Sequence, residues 1–234
     1  MIVPNMSLPE IRKAISDDLD NEIKRKIQLI KITHQGKWMR NGRKDLVETI
    51  LFTSKSKNNW RITITCNSSG VRSIPYLVSY NKIGITASHI DPEGPSSSLM
   101  HFNTHFFKRY RERGKIAIEK PEDLVKFFFK KNTVLFACYY PREDGTQQLF
   151  TPLAGGVGLG NYHEESDICE FKTFVDNSLL GENQKIQIMN IWTETLTELT
   201  AEITRRIRKK DPNYKVSTPK PQPTISVPTA WVQV

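Results

Sequence analysis

Histidine and arginine recur at intervals of four through His101-Phe-Asn-Thr-His105-Phe-Phe-Lys-Arg109-Tyr-Arg-Glu-Arg113-Gly114. On a helix this spacing puts His101, His105, Arg109 and Arg113 on one slowly drifting stripe. Phe102, Phe106 and Tyr110 form a second stripe that can dock on a core. Lys108, Arg111 and Lys115 add positive charge, and Glu112 alone opposes it. Imidazoles that titrate near neutrality, fixed guanidinium cations and an apolar backing suit the grip of a phosphodiester, and acid–base chemistry upon it. The competing reading is an ordinary solvated charged face, because short motif matches carry false positives.

The charge balance favours the first reading. The 234-residue chain carries a formal charge of +9 and a pI near 9.4, which favours polyanionic partners, nucleic acid first among them. The excess is concentrated in Lys24-Arg25-Lys26, in the segment from Lys37 to Lys44, in the stripe, and in Arg205-Arg206-Ile-Arg208-Lys209-Lys210. No run approaches the ~20 apolar residues of a membrane span, and the N-terminus lacks a secretory pattern. A cytoplasmic protein is therefore expected. Cys66, Cys138 and Cys169 lie far apart in apolar or strand-like surroundings, as reduced, buried thiols do. Without a Cys-x-x-Cys pair, a thiolate zinc site is not expected.

The elements that must position these residues are partly legible. Ser7-Leu-Pro-Glu10 has capping-box form. Behind it Leu8, Ile11, Ile15, Leu19, Ile23, Ile27 and Ile30 predict a long amphipathic helix. Gly36 and Gly42 bracket what reads as a basic, tryptophan-bearing loop. Val47–Thr53, Trp60–Cys66, Tyr76–Tyr80 and Ile83–Thr86 read as strands. The loop from Asp91 to Ser98 leads into the stripe helix, its last serines being candidate caps. Gly114 suits a left-handed helix end. A second helix opens at Pro121, with Phe127-Phe128-Phe129 as core or interface material. Thr133–Tyr140, an Asp144-Gly145 turn and Gln147–Leu153 read as a hairpin. Ile168–Val175 reads as a strand of strict alternation.

A last helix from about Glu182 to Arg208 carries Met189, Trp192, Leu196, Leu199 and Ile203 at coiled-coil intervals. That seam suits packing within the chain first and a homodimer second. After Asp211 the composition is that of a disordered, proline-rich tail. The expected fold is α+β: an antiparallel sheet with two central helices, flanked by long N- and C-terminal helices. The expected divisions are 1–45 (helix and basic loop), 46–180 (central α+β domain), 181–210 (long helix) and 211–234 (tail).

The segment His105-x-x-x-Arg109-x-x-x-Arg113-Gly114, followed by Ile116, resembles the basic helix of small bacterial toxin-like domains with the barnase/colicin/RelE-type ribonuclease fold. The order of elements from 101 to 175 is similar too: helix, helix, hairpin, strand. The resemblance covers about a third of the chain and implies metal-independent RNA cleavage. In that chemistry a base takes the ribose 2′-OH proton, an acid protonates the leaving 5′-oxygen, and cations stabilise the phosphorane. It would make His105 a proton carrier and Arg109 and Arg113 phosphate clamps. Lys172 and Thr173 resemble the polar residues that such domains place on the sheet, although adjacent strand residues face opposite ways. His101 is the candidate for the second proton role.

Other motifs bear on competing classes. His101 and His105 have the i, i+4 spacing of metal ligands, but no His-Glu-x-x-His is present, and a third ligand would have to come from His89, His163 or an acid. No metal or cofactor is expected. Gly155-Gly156-Val-Gly158-Leu-Gly160 matches neither a P-loop nor a dinucleotide fingerprint. It reads instead as a flexible hairpin, or as a bulged strand that another backbone approaches closely. His163 beside it is a weaker catalytic candidate. RNA is the favoured partner, with no membrane; the alternatives are a non-catalytic module for nucleic acid or an acidic protein, and an assembly protein joined through its helices.

Overall fold

The computed structural model describes residues 1–3, 6–68, 70–92, 98–141 and 147–210. The segment of the expected Asp144-Gly145 turn, the tail from 211, and Ser96 and Ser97 lie outside the described residues. The fold is α+β, built on one nine-stranded sheet in the order β1-β2-β3-β4-β5-β9-β8-β7-β6. Strands β1 (Leu46–Thr53), β2 (Asn59–Asn67), β3 (Gly70–Asn81), β4 (Gly84–His89) and β5 (Leu99–Phe102) form one antiparallel meander. Strands β6 (Cys138–Pro141), β7 (Gln147–Leu153), β8 (Gly156–His163) and β9 (Ile168–Asp176) form a second. The two meet at β5 and β9, which run parallel. The expected all-antiparallel sheet is thus corrected to a mixed one. Its parallel seam arises because α3 (Thr104–Arg113), α4 (Pro121–Lys131) and three further strands separate its two members in the chain.

The N-terminal helix packs over the first meander. It comprises α1 (Leu8–Asp18), a π-helical turn over Leu19–Ile23, and α2 (Lys24–Arg40). Ile11, Ile15, Leu19, Ile23 and Ile27 are spaced by fours, a spacing that drifts about 40° per step on a regular α-helix. The wider π turn offsets that drift, and all five are buried with Trp60, Ile62, Ile64 and Leu77. Asp18, just before the π turn, is fixed there by Ser54 (2.7 Å), Asn58 (2.8 Å) and Trp60 Nε1 (2.9 Å), which all donate to its Oδ2. The basic loop expected from Gly36 is instead the last turn of α2. Trp38 packs on the same core, and His34 is anchored to Ile30 O at 2.8 Å and to Glu48 at 2.9 Å.

On the opposite face, α3 and α4 close the central core. Phe106, Phe107 and Tyr110 of α3 and Leu124, Val125, Phe128 and Phe129 of α4 pack on Tyr76, Phe102, Phe171 and Phe174. Ring contacts such as Phe102 on Phe171 (5.0 Å) and Tyr110 on Phe174 (5.1 Å) fix α3 across the parallel seam. Gly114 ends α3 at φ −75°, not in the left-handed region, which Lys115 takes instead (φ +50°). A Cβ at Gly114 would stand 2.7 Å from Tyr110 O, so the glycine serves close packing rather than chirality. Helix α5 (Glu182–Lys210) lies against the second meander. Its Ile188 and Ile191 pack with Cys138, Phe150, Val157 and Val175, on the side that α1 and α2 share. Cys66, Cys138 and Cys169 are free and buried.

Candidate functional site

The stripe begins later than expected. His101 belongs to β5, and α3 starts at Thr104 behind Asn103, whose Oδ1 accepts from Phe106 N at 2.9 Å. A side-chain N-cap of this kind satisfies an orphan backbone donor and sets where the helix begins. The i, i+4 relation of His101 to His105 therefore spans a strand–helix junction, and the paired-ligand geometry it suggested does not form. Among the described residues no group of three or more His, Cys, Asp or Glu is placed to hold a metal.

Helix α3 presents His105, Arg109 and Arg113 along its outer side. His105 is exposed, and Arg109 Nε points to its Nε2 at 3.4 Å. Arg109 Nη1 meets Glu112 at 3.0 Å. Arg113 Nη1 donates to Phe174 O at 2.6 Å, clipping the end of α3 to β9. Lys108, Arg111 and Lys115 are exposed around them. These side chains form a cationic ridge along the helix. An open surface hollow lies instead along α5, at Leu196, Thr200 and Arg205. Another of about 360 Å³ lies between Trp38 and Leu46. Neither contains an α3 residue.

A second polar group gathers at the N-terminal end of α3, on the other sheet face. Ser88, His101, Glu170 and Asn161 stand side by side on β4, β5, β9 and β8. His101 is buried, with Nδ1 2.9 Å from Ser88 Oγ. Burial pushes its pKa down to about 4 despite the neighbouring Glu170, so the ring is neutral at physiological pH. Glu170 is the hub. Its Oε2 meets His163 Nε2 at 3.1 Å and Lys172 Nζ at 3.3 Å, and its Oε1 accepts from Asn103 Nδ2 at 3.4 Å. Burial alone would raise the Glu170 pKa. The contacts from His163, Lys172 and Asn103 outweigh burial and hold it below the usual carboxylate value.

A β-bulge shapes this hub. Leu159 pairs with Thr173 and Gly160 with Phe171, so Lys172 has no residue opposite. The strict alternation expected for Ile168–Val175 therefore breaks at Lys172, and Phe171 and Phe174 both reach the α3 side. Thr173 falls on the opposite side with Val175, which packs near α5. Of the glycine run, Gly155 (φ +86°) lies in the turn of the β7–β8 hairpin and Gly156, Gly158 and Gly160 lie in β8, where another backbone comes close, while the bulge itself is on β9. A Cβ at Gly160 would stand 2.0 Å from Glu170 O, and one at Gly156 would stand 2.1 Å from Val175 O.

The structure thus joins Lys172 and His101 around Glu170 and leaves His105, Arg109 and Arg113 on the ridge. Asn103 links the two groups, since it caps α3 and donates to Glu170. Glu170 and Asn103 were not singled out from sequence. The Asn103 signal was present, as a capping residue before an apolar-periodic segment, whereas that of Glu170 depends on pairing across the parallel seam. Comparisons with protein-family models, curated proteins and solved structures find no match to this chain.

Proposed function

We propose that the chain binds RNA through the outer side of α3. The observation that carries this reading is the density of fixed charge on one rigid helix. Lys108, Arg109, Arg111, Arg113 and Lys115 are opposed by Glu112 alone, and the inner side of the helix is locked by an aromatic core. Rigid guanidinium groups suit phosphate oxygens, and cations on a pre-ordered helix lose little entropy when they bind. The test is affinity for a single-stranded RNA across ionic strength. A steep fall with salt supports the reading, and salt-independent or absent binding removes it.

Metal-independent cleavage is the second reading, favoured by the His163–Glu170 contact at 3.1 Å with Lys172 on the same carboxylate oxygen. A carboxylate that orients an imidazole beside a cation is the equipment a 2′-OH attack needs. One imidazole would accept the 2′-OH proton. As the new O–P bond forms, the 5′-oxygen would leave carrying a proton from the second acid, giving a 2′,3′-cyclic phosphate. His163, oriented by Glu170, is the assigned base and Lys172 the acid; His105, Arg109 and Arg113 belong to the ridge and take no part in this reading. RNA incubated with the protein in EDTA should yield cyclic-phosphate ends, and His163→Ala and Lys172→Ala should each abolish them. Binding without turnover leaves the first reading alone.

A further inference from the structure

The sheet ends differently at its two edges. On one side β6 is four residues long, ends in Pro141, and buries Cys138 with Ile188 of α5. Shortness, proline and a covering helix are the usual protections of an edge strand. On the other side β1 is neither short nor broken by proline, and α1 and α2 cover only its inner face. It runs for eight residues without proline or lysine, and among the described residues no strand pairs with its outer edge. Leu46, Ile50 and Phe52 point to the α1–α2 core. Val47 and Leu51, on the other face, are 43% and 74% exposed.

We infer that the outer edge of β1 pairs antiparallel with β1 of a second copy, about a twofold axis through Thr49. In an antiparallel pair related by such an axis, residues opposite one another keep the same face, so their numbers share parity. Centring on Thr49 places Val47 opposite Leu51 of the second copy, twice, and so covers the apolar side chains that β1 leaves in water. On the α2 side it sets Leu46 opposite Phe52 of the second copy and Glu48 opposite Ile50. Within the strand Glu48 is the sole charge, so the paired segment itself adds little repulsion between two copies of a chain carrying +9. The two Glu48 residues fall on a diagonal about 7–8 Å apart, each carboxylate held by His34 of its own copy at 2.9 Å. Diagonal to each on its other side is Phe52 of the second copy, over which Lys26 sits at 5.3 Å. Ladder hydrogen bonds along the seven overlapping residues hold the pair, and the small contact makes the dimer concentration-dependent.

Sedimentation of the full chain from about 5 to about 200 μM tests this, since weak interfaces dissociate over such a range. The expected result is a mass rising from monomer to dimer, with Leu51→Lys weakening association at least about tenfold by setting a charge against the apolar Val47 of the second copy in place of a cross-strand apolar pair. Thr49→Cys supplies a reading that does not depend on stability. On the axis the two Cα atoms stand about 4.5–5.5 Å apart, within disulfide reach, so oxidation should give a covalent dimer, while Thr53→Cys should not. The native cysteines are buried and do not compete. A monomer at every concentration overturns the inference. So does a dimer indifferent to Leu51→Lys with no Thr49→Cys crosslink, which would put the interface elsewhere, as on α5 or residues 211–234.

Discussion

Replacing Lys108 and Arg111 together with alanine removes two exposed cations of α3 and spares the arginines that hold Glu112 and Phe174 O. Five cations stand on the helix and its end, and Glu112 offsets Arg109. That leaves about four to meet phosphates, and a slope of log affinity against log salt near −2.8 on single-stranded RNA. Between about 50 and 200 mM KCl affinity should then fall roughly 50-fold. The double variant should keep about half the slope, near −1.4, and lose only roughly sevenfold over the same range. Fluorescence anisotropy of a labelled single-stranded RNA across the salt series reads both slopes, with circular dichroism to verify folding. An unchanged slope in the folded double variant would refute the assignment of phosphate contacts to α3.

Three further outcomes follow from the structure. Asp18→Ala strips a buried acceptor from Ser54, Asn58 and Trp60 and should cost roughly 3 kcal/mol or more in urea unfolding, since each stranded donor loses its partner. Gly160→Ala forces a Cβ against Glu170 O and should cost roughly 2–3 kcal/mol by the same assay; under the cleavage reading it should also lower turnover. The third outcome concerns pH. His101 is held neutral, with its pKa depressed to about 4, so its contribution to stability is complete above its unfolded value. That contribution is lost as pH falls from about 6.5 to about 4, by roughly 3 kcal/mol in total. His101→Gln should flatten that part of the stability–pH curve by one proton, while burial of His89, whose pKa is also lowered, leaves some slope behind.

Legibility followed the length of each periodic segment. The isoleucine ladder of α1 and α2 announced itself because seven apolar positions repeat at threes and fours, and those from Ile11 to Ile30 are buried. Its π turn was implicit in the unbroken run of fours. Strand β5 escaped because four residues carry no period of their own, and His101 happens to stand four before His105. The polar hub escaped for a different reason. Ser88, His101 and Glu170 are brought together by register across β4, β5 and β9, and nothing in a local pattern shows that β9 returns beside β5. The bulge at Lys172 was hidden likewise, its cause being two phenylalanines three residues apart that must face one core.

Ultraviolet crosslinking of the full chain to a single-stranded RNA, followed by mass spectrometry of the linked peptides, reads where RNA meets the protein. Binding through α3 gives crosslinks on the peptides spanning 104–115, with others at 161–172 if RNA reaches the Glu170 hub. Crosslinks confined to α2 or to α5, or none under conditions where RNA binds, would contradict it.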